Sequence, residues 1–267
     1  MTIWQAVVLG IVQGIAEFLP ISSSGHLVVL QRVFGIDLPG MTFDIIVHIG
    51  SLFAVFAVFW RDILFLIKNP FQKMTVMLVV GSIPAAITGF LFKSDIERIF
   101  NQGFYLAAAF ILTGMLLLAA DSIPKTHTCK AEKDITILDA LIVGCMQAVA
   151  LPPGISRSGA TITGGLLSGL NRETAARFSF LLSIIVIGGA GLLEAWEVYQ
   201  SPEIIYSGDI IPFIAGFVAA AAAGYLAIRL LLELIKKCKL KYFSYYLFIL
   251  ATWLMIDRFV LNWFFTY

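Results

Sequence analysis

Apolar residues run along this chain in long unbroken stretches, and six of them are long enough to predict bilayer-crossing helices: about residues 43–60, 74–92, 104–120, 176–193, 210–228 and 243–262. A helix needs ~20 apolar residues to cross the ~30 Å hydrocarbon layer. One that is apolar on every side has lipid or protein around it, not water. Trp60, Trp253 and Trp263 fall near the ends of predicted spans, where indoles favour the interface. Two further regions, 3–35 and 137–170, are apolar but interrupted, the first by Pro20 and the run Ser22-Ser23-Ser24-Gly25, the second by Pro152-Pro153-Gly154. Each predicts a broken or re-entrant helix pair.

The two broken regions coincide when the chain is shifted by about 134 residues. Gly10/Gly144, Gln13/Gln147, Ala16/Ala150, Ile21/Ile155, Ser22/Ser156, Ser24/Ser158 and Gly25/Gly159 then superpose, and one further residue of shift aligns Gly81 and Gly89 with Gly216 and Gly224. Chance recurrence of small residues is the alternative to a repeat. The pattern predicts one membrane domain of two repeats, 1–133 and 134–267. With an odd number of crossings in each, the repeats must be inverted. The expected fold is therefore an all-α integral membrane protein of two inverted-topology repeats, each a broken or re-entrant helix pair followed by three transmembrane helices.

Composition agrees: 60% of residues are apolar and 13% charged, and the mean hydropathy is +0.93. Soluble domains average roughly 25% charged residues. Charge adds an orientation. The predicted topology puts eleven cations on one side (Arg61, Lys68, Lys73, Lys125, Lys130, Lys133, Arg172, Lys236, Lys237, Lys239, Lys241) and four on the other (Arg32, Lys93, Arg98, Arg258). The positive-inside rule makes the first side cytoplasmic and puts both termini outside. The stretch from Glu194 to Asp209, without Lys or Arg, falls outside as well. A net charge of +1 offers no basic face to nucleic acid. Cys129, Cys145 and Cys238 lack the spacing of a zinc site or disulfide framework and read as packing residues. With no cation before Arg32, the N-terminal stretch is not expected to be a cleaved signal peptide.

The candidate chemistry lies in the two interruptions. Gln13 and Glu17 are one turn apart on one helix face. A carboxylate at membrane depth costs about 2.5–3.5 kcal/mol on insertion scales, so Glu17 should face a polar cavity holding a cation or proton. Ser22, Ser23, Ser24, Gly25 and His26 follow Pro20, and serines there can cap a new helix whose N-terminal N–H groups attract an anion. The second interruption, Pro152 to Thr161, repeats the design with Arg157 at the position of Ser23, adding Gly154, Ser156, Ser158 and Thr161. Inverted repeats bring such loops together near the midplane. There a guanidinium suits bidentate contact with phosphate or carboxylate. Two blander readings stand beside this one: Arg157 as a structural partner of Glu17, and the small residues as helix-packing positions. His48, within a span, reads as a packed, hydrogen-bonded residue; His127, among Lys125, Thr128 and Lys130, as solvated. Arg172 and Glu173 after Asn171 read as a capped helix start.

The pattern Gln13-x-x-x-Glu17, the run Leu19 to His26 and the run Pro153 to Thr161 resemble the undecaprenyl-diphosphate phosphatase family, also called the bacitracin-resistance protein family, and the likeness extends over essentially the whole chain. The resemblance implies a multi-pass enzyme of the bacterial plasma membrane that dephosphorylates the C55 polyprenyl diphosphate left by cell-wall polymerisation, and it implies bacitracin resistance, since that antibiotic sequesters the diphosphate. It carries over Glu17 as ligand of a divalent cation, Mg²⁺ or Ca²⁺, or as base; Gln13 as its orienting neighbour; Ser23 as nucleophile, with His26 as general acid or base; and Arg157 as diphosphate clamp. Attack by water remains open beside Ser23. Ser22, Ser24, Gly25, Gly154, Ser156, Ser158 and Thr161 would cap or bind phosphate, and a second copy of the chain is a candidate partner. The family pattern allows Glu or Gln at position 13, so a two-carboxylate metal site is not implied here. A carrier, moving a polyprenyl phosphate or another anion, is the competing class, because broken helices at the midplane also build transporters. A membrane scaffold is a third reading, and it leaves Glu17, His26 and Arg157 unexplained.

Overall fold

Threonines and serines begin four of the helices, at the positions where the apolar runs start or resume. Thr2 caps helix α1 (Ile3–Phe18) and Thr136 caps α6 (Ile137–Val149), each in a capping box with the residue three on, Gln5 and Asp139. Ser22 caps α2 (Ser23–Val33) and Ser156 caps α7 (Arg157–Leu167) through hydroxyls that accept the N–H of Gly25 and Gly159. The computed structural model that provides these elements describes residues 1–36, 41–92, 94–96, 104–124, 126–200, 210–237 and 239–264. The remaining long helices are α3 (Met41–Lys68), α4 (Lys73–Leu91), α5 (Phe104–Ser122), α8 (Arg172–Gln200), α9 (Ile211–Lys237) and α10 (Lys241–Ile256).

Among the described residues six helices, α3, α4, α5, α8, α9 and α10, are long and apolar enough to cross a membrane, and they cover the six stretches predicted from hydropathy. The third helix runs past the expected boundary at residue 60 as far as Lys68, with a break in helical geometry at Phe59. At 1.5 Å per residue the 16 residues of α1 extend about 24 Å and the 11 residues of α2 about 17 Å. Neither crosses the bilayer alone. The expected pairs of short helices are thus present, α1 with α2 and α6 with α7. Asn171 caps α8 by accepting the N–H of Thr174, as read from sequence. Cys129 and Cys145, expected as packing residues, are instead exposed, because their positions turn away from the core, and Cys129 Sγ donates to the Thr126 carbonyl at 3.2 Å; Cys238 lies outside the described residues.

What holds the bundle together is an exchange of helices between its two halves. Helix α1 packs along α9, and α6 packs along α4. Both contacts are backbone to backbone. A Cβ on Gly10 would stand 2.3 Å from the Gly216 carbonyl, and one on Gly144 would stand 2.3 Å from the Gly81 carbonyl. Without a hydrophobic driving force in lipid, such close approach is what provides helix-helix attraction. Pro84 sits inside α4 beside Gly144, where the missing N–H costs the helix one bond but its ring fills the contact.

The connecting segments meet at one end of the bundle. Lys73 donates to the Lys133 carbonyl, Lys130 and Asn171 exchange backbone bonds with Gly169 and Lys130, and Asp121 accepts from both Arg172 and the Leu240 N–H. Lys130 also pairs with the buried Asp139 carboxylate at 2.8 Å. Asp121 and Asp139 thereby tie the connections after α5, α7 and α9 into a single surface.

The glycine contacts generate a test. Gly144→Val should lower the melting temperature in detergent by the equivalent of about 1–3 kcal/mol or prevent accumulation, the usual range for overpacking. Gly189→Ala, where nothing lies within 4 Å, should be neutral or slightly stabilising. Equal melting temperatures for Gly144→Val and wild type would show that the α4–α6 contact is loose.

Candidate active site

The α1–α2 turn and the α6–α7 turn meet inside the bundle. Pro20 ends the first helix, and Ser22 turns the chain at φ 71°, a left-handed conformation that a residue with a Cβ adopts only when its surroundings hold it. Its carbonyl accepts from His26 Nδ1 at 2.6 Å, and its hydroxyl accepts from the Gly25 N–H at 3.3 Å. A side chain at Gly25 would strike the Phe110 ring at 2.6 Å. On the facing turn Gly154 has φ 86°, and its N–H donates to Ser24 Oγ at 3.2 Å. Ser158 Oγ donates to the Leu19 carbonyl at 2.9 Å, and the Ser156 N–H donates to Thr113 Oγ1 at 3.1 Å. The loops predicted to share a pocket are stitched to each other.

Glu17 occupies the centre, 7% exposed. Its Oε1 accepts from Arg157 Nη2 at 2.5 Å; its Oε2 accepts from Ser23 Oγ at 2.6 Å and from Gln13 Nε2 at 3.0 Å. Arg157 also donates from Nη1 to the Ser179 carbonyl at 3.3 Å. The ion pair weighed as the bland reading of Arg157 therefore exists. It does not occupy the whole carboxylate, whose other oxygen holds the Ser23 hydroxyl. Loss of one partner of such a pair is expensive, since the remaining charge is left buried.

His26 is not brought to Ser23. Its Nδ1 carries the proton donated to Ser22, so in neutral imidazole Nε2 accepts, and it lies 2.6 Å from the Tyr246 hydroxyl, with the two rings stacked 5.6 Å apart. Ser23 Oγ meets a carboxylate instead, Glu17 Oε2 at 2.6 Å. Of the residues expected to bind phosphate, Ser22 and Ser156 cap helices and Ser24, Ser158 and Thr161 tie elements together, Thr161 through Ser179 Oγ at 2.6 Å. The first N–H groups of α2 and α7 lack intrahelical carbonyl partners, and those of Gly25 and Gly159 donate to the Ser22 and Ser156 hydroxyls.

Four residues near the site were not singled out as functional: Ser179, Tyr246, Thr113 and His48. His48 stands 3.7 Å from Glu17 through Nε2. The first three are polar residues within apolar spans, with no local signal separating them from packing serines, threonines and tyrosines. His48 carried a signal, a His four residues after Asp44 in a span, and was read as packing. His127 is exposed, as expected.

Among the described residues no group of three His, Cys, Asp or Glu side chains forms a metal cage. The donor set still fits a cation shared with a ligand: Glu17 is a carboxylate, and Gln13 Oε1 is a buried oxygen without a hydrogen-bond partner. Mg²⁺ takes one or two carboxylates and completes its shell with phosphates and water.

The family model of the bacitracin resistance protein BacA matches residues 6–253. This chain belongs to the BacA family. Curated relatives named undecaprenyl-diphosphatase include one from Carboxydothermus hydrogenoformans, 44% identical over 256 residues, covering 96% of this chain and 97% of that protein. One from Moorella thermoacetica is 43% identical, covering 94% and 96%, and one from Thermodesulfovibrio yellowstonii is 41% identical, covering 97% and 99%. Similarity at that coverage extends over both turns and the helices that hold them.

The paired charges at the centre lead to a stability prediction. Arg157→Ala, which strands Glu17, should destabilise by about 3–5 kcal/mol. The double variant Glu17→Gln with Arg157→Gln should recover most of that loss. Thermal unfolding in detergent measures both; a double variant no more stable than Arg157→Ala would show that the guanidinium stabilises through packing instead.

Proposed function

We propose that this chain is an undecaprenyl-diphosphatase, hydrolysing a C55 lipid diphosphate to the monophosphate and inorganic phosphate at the meeting of α2 and α7. The observation that carries the proposal is Ser23 hydrogen-bonded to a buried Glu17 that Arg157 neutralises, between two helix N-termini and within an apolar bundle. An anion carrier has use for Arg157 and the helix ends but none for a serine held on a carboxylate, so hydrolysis is the better reading.

Ser23 Oγ attacks the terminal phosphorus, and its proton passes to the Glu17 carboxylate. The bond from that phosphorus to the bridging oxygen breaks, and the polyprenyl monophosphate leaves. Water then attacks the phosphoserine, Glu17 returns its proton to Ser23 Oγ as the phosphorus–Oγ bond breaks, and inorganic phosphate leaves carrying the water's hydroxyl while the water's other proton goes to solvent. Phosphoryl transfer through a loose transition state asks little of the base and much of the charge around the phosphoryl oxygens. Arg157, turning from Glu17 toward the diphosphate, provides a planar two-point contact that a lysine lacks. His26 holds the Ser22 carbonyl and with it the strained turn that aims Ser23. Glu17 and Gln13 would hold a divalent cation, Mg²⁺ or Ca²⁺, which when bound neutralises charge on phosphate oxygens.

We further infer that the halves 1–133 and 134–267 are inverted repeats. The equivalent glycine contacts support this, as does the spacing of α2 and α7, whose bounds differ by 134 residues. The loop surface around Asp121 and Asp139 is then cytoplasmic, with both termini outside and the enzyme in the bacterial plasma membrane.

Arg157→Lys should fold yet lose about 10²–10³ in kcat and in kcat/KM alike, the loss seen for one preorganised donor. Phosphate release from a C15 or C55 diphosphate measures it; near wild-type turnover by a folded lysine variant would remove the clamp. Glu17→Ala and excess chelator should each abolish release, while Gln13→Glu stays active. In a cysteine-free background, a thiol at position 32 replacing Arg32 should react with an impermeant reagent from outside. One replacing the exposed Lys133 should react only after permeabilisation. The reverse pattern overturns the topology.

A further inference from the structure

His48 Nδ1 lies 2.7 Å from the Asp44 carbonyl and must carry a hydrogen to meet it. In neutral imidazole Nε2 is then a bare lone pair, and it lies 3.7 Å from another acceptor, Glu17 Oε2. That gap exceeds the hydrogen-bond range. Two ligands each about 2.1 Å from one ion stand at most about 4.2 Å apart, so the gap has the width that a shared cation fills. Gln13 adds a third donor. Its Nε2 is 3.0 Å from the same Oε2, while its Oε1 is buried without a partner. Turning that amide over exchanges N for O and presents a ligand oxygen beside Oε2. Behind the imidazole stands the support that metal-bound histidines ordinarily have: a carbonyl on the remote nitrogen, on a residue whose own carboxylate accepts from Gln31 Nε2 at 2.8 Å.

We propose that His48 is a ligand of the divalent cation, completing with Glu17 and Gln13 a mixed nitrogen and oxygen set. This rests on the reading of Glu17 as cation ligand. An imidazole changes which cation is preferred: Ca²⁺ favours oxygen donors alone, whereas first-row transition ions accept nitrogen. The site should therefore bind Mn²⁺ more tightly than Ca²⁺, and His48 should be the cause.

The experiment titrates MnCl₂ into the full-length protein in lipid nanodiscs, reading free Mn²⁺ by electron paramagnetic resonance and bound Mn²⁺ by pulsed detection of nitrogen coupling. The chain has three histidines, so ¹⁵N-histidine labelling identifies the coupled nucleus. Wild type should bind one Mn²⁺ with histidine coupling. His48→Gln should lose the coupling and at least about tenfold in affinity, since even outer-shell partners are worth about 10–100-fold, and the preference for Mn²⁺ over Ca²⁺ should narrow. Saturable binding abolished by Glu17→Gln but without histidine coupling in wild type overturns the role of His48 and keeps Glu17 as ligand. No saturable binding by wild type, with or without methylene diphosphonate, overturns both. Coupling that persists in His48→Gln assigns the ligand to another histidine and overturns the proposal.

Discussion

A carboxylate buried in an apolar bundle is the constraint on which the rest of this structure depends. Glu17 cannot sit among helices at membrane depth without a cation and hydrogen-bond donors, and it has Arg157, Ser23 and Gln13. Those partners come from both halves of the chain. The broken helices exist to deliver them: Pro20 and Ser22 stop α1 and restart the chain so that Ser23 reaches back to Glu17, and Gly154 and Ser156 do the same for Arg157. Compensation of one charge thus dictates where two helices end.

The interlocked glycines make that delivery rigid. With α1 clamped to α9 and α6 to α4 at backbone distance, neither turn can drift without opening a contact that lipid cannot replace. The cross-links between the turns, Ser158 to Leu19 and Gly154 to Ser24, then fix the separation of Glu17 and Arg157. Positions within about half an ångström are what a phosphoryl-transfer site requires of its scaffold.

The spans were legible because hydrocarbon demands a long uninterrupted signal, and that demand is local. Glu17, Ser23 and Arg157 were legible because charge and serine clusters are rare inside apolar sequence, and repetition at a shift of 134 marked both turns. What escaped was tertiary. Tyr246 lies 220 residues from His26 and Ser179 lies 22 from Arg157; each gains meaning only when its helix is placed. His48 looked like a packed histidine because nothing in its own span says that Glu17 faces it. The pairing of Ser23 with Glu17 rather than His26 was hidden for the opposite reason: helical spacing suggested a local partner, and the turn at Ser22 directs the imidazole to the backbone instead.

The central claim is that Glu17 serves Ser23 as base for attack on the terminal phosphorus. The stereochemical course at that phosphorus tests it most directly, using a lipid diphosphate made chiral with a sulfur and oxygen isotopes at the terminal position. Two successive in-line displacements, first by Ser23 and then by water, each invert the centre and together give retention. Inversion would mean a single displacement by water, and Ser23 would not be the nucleophile.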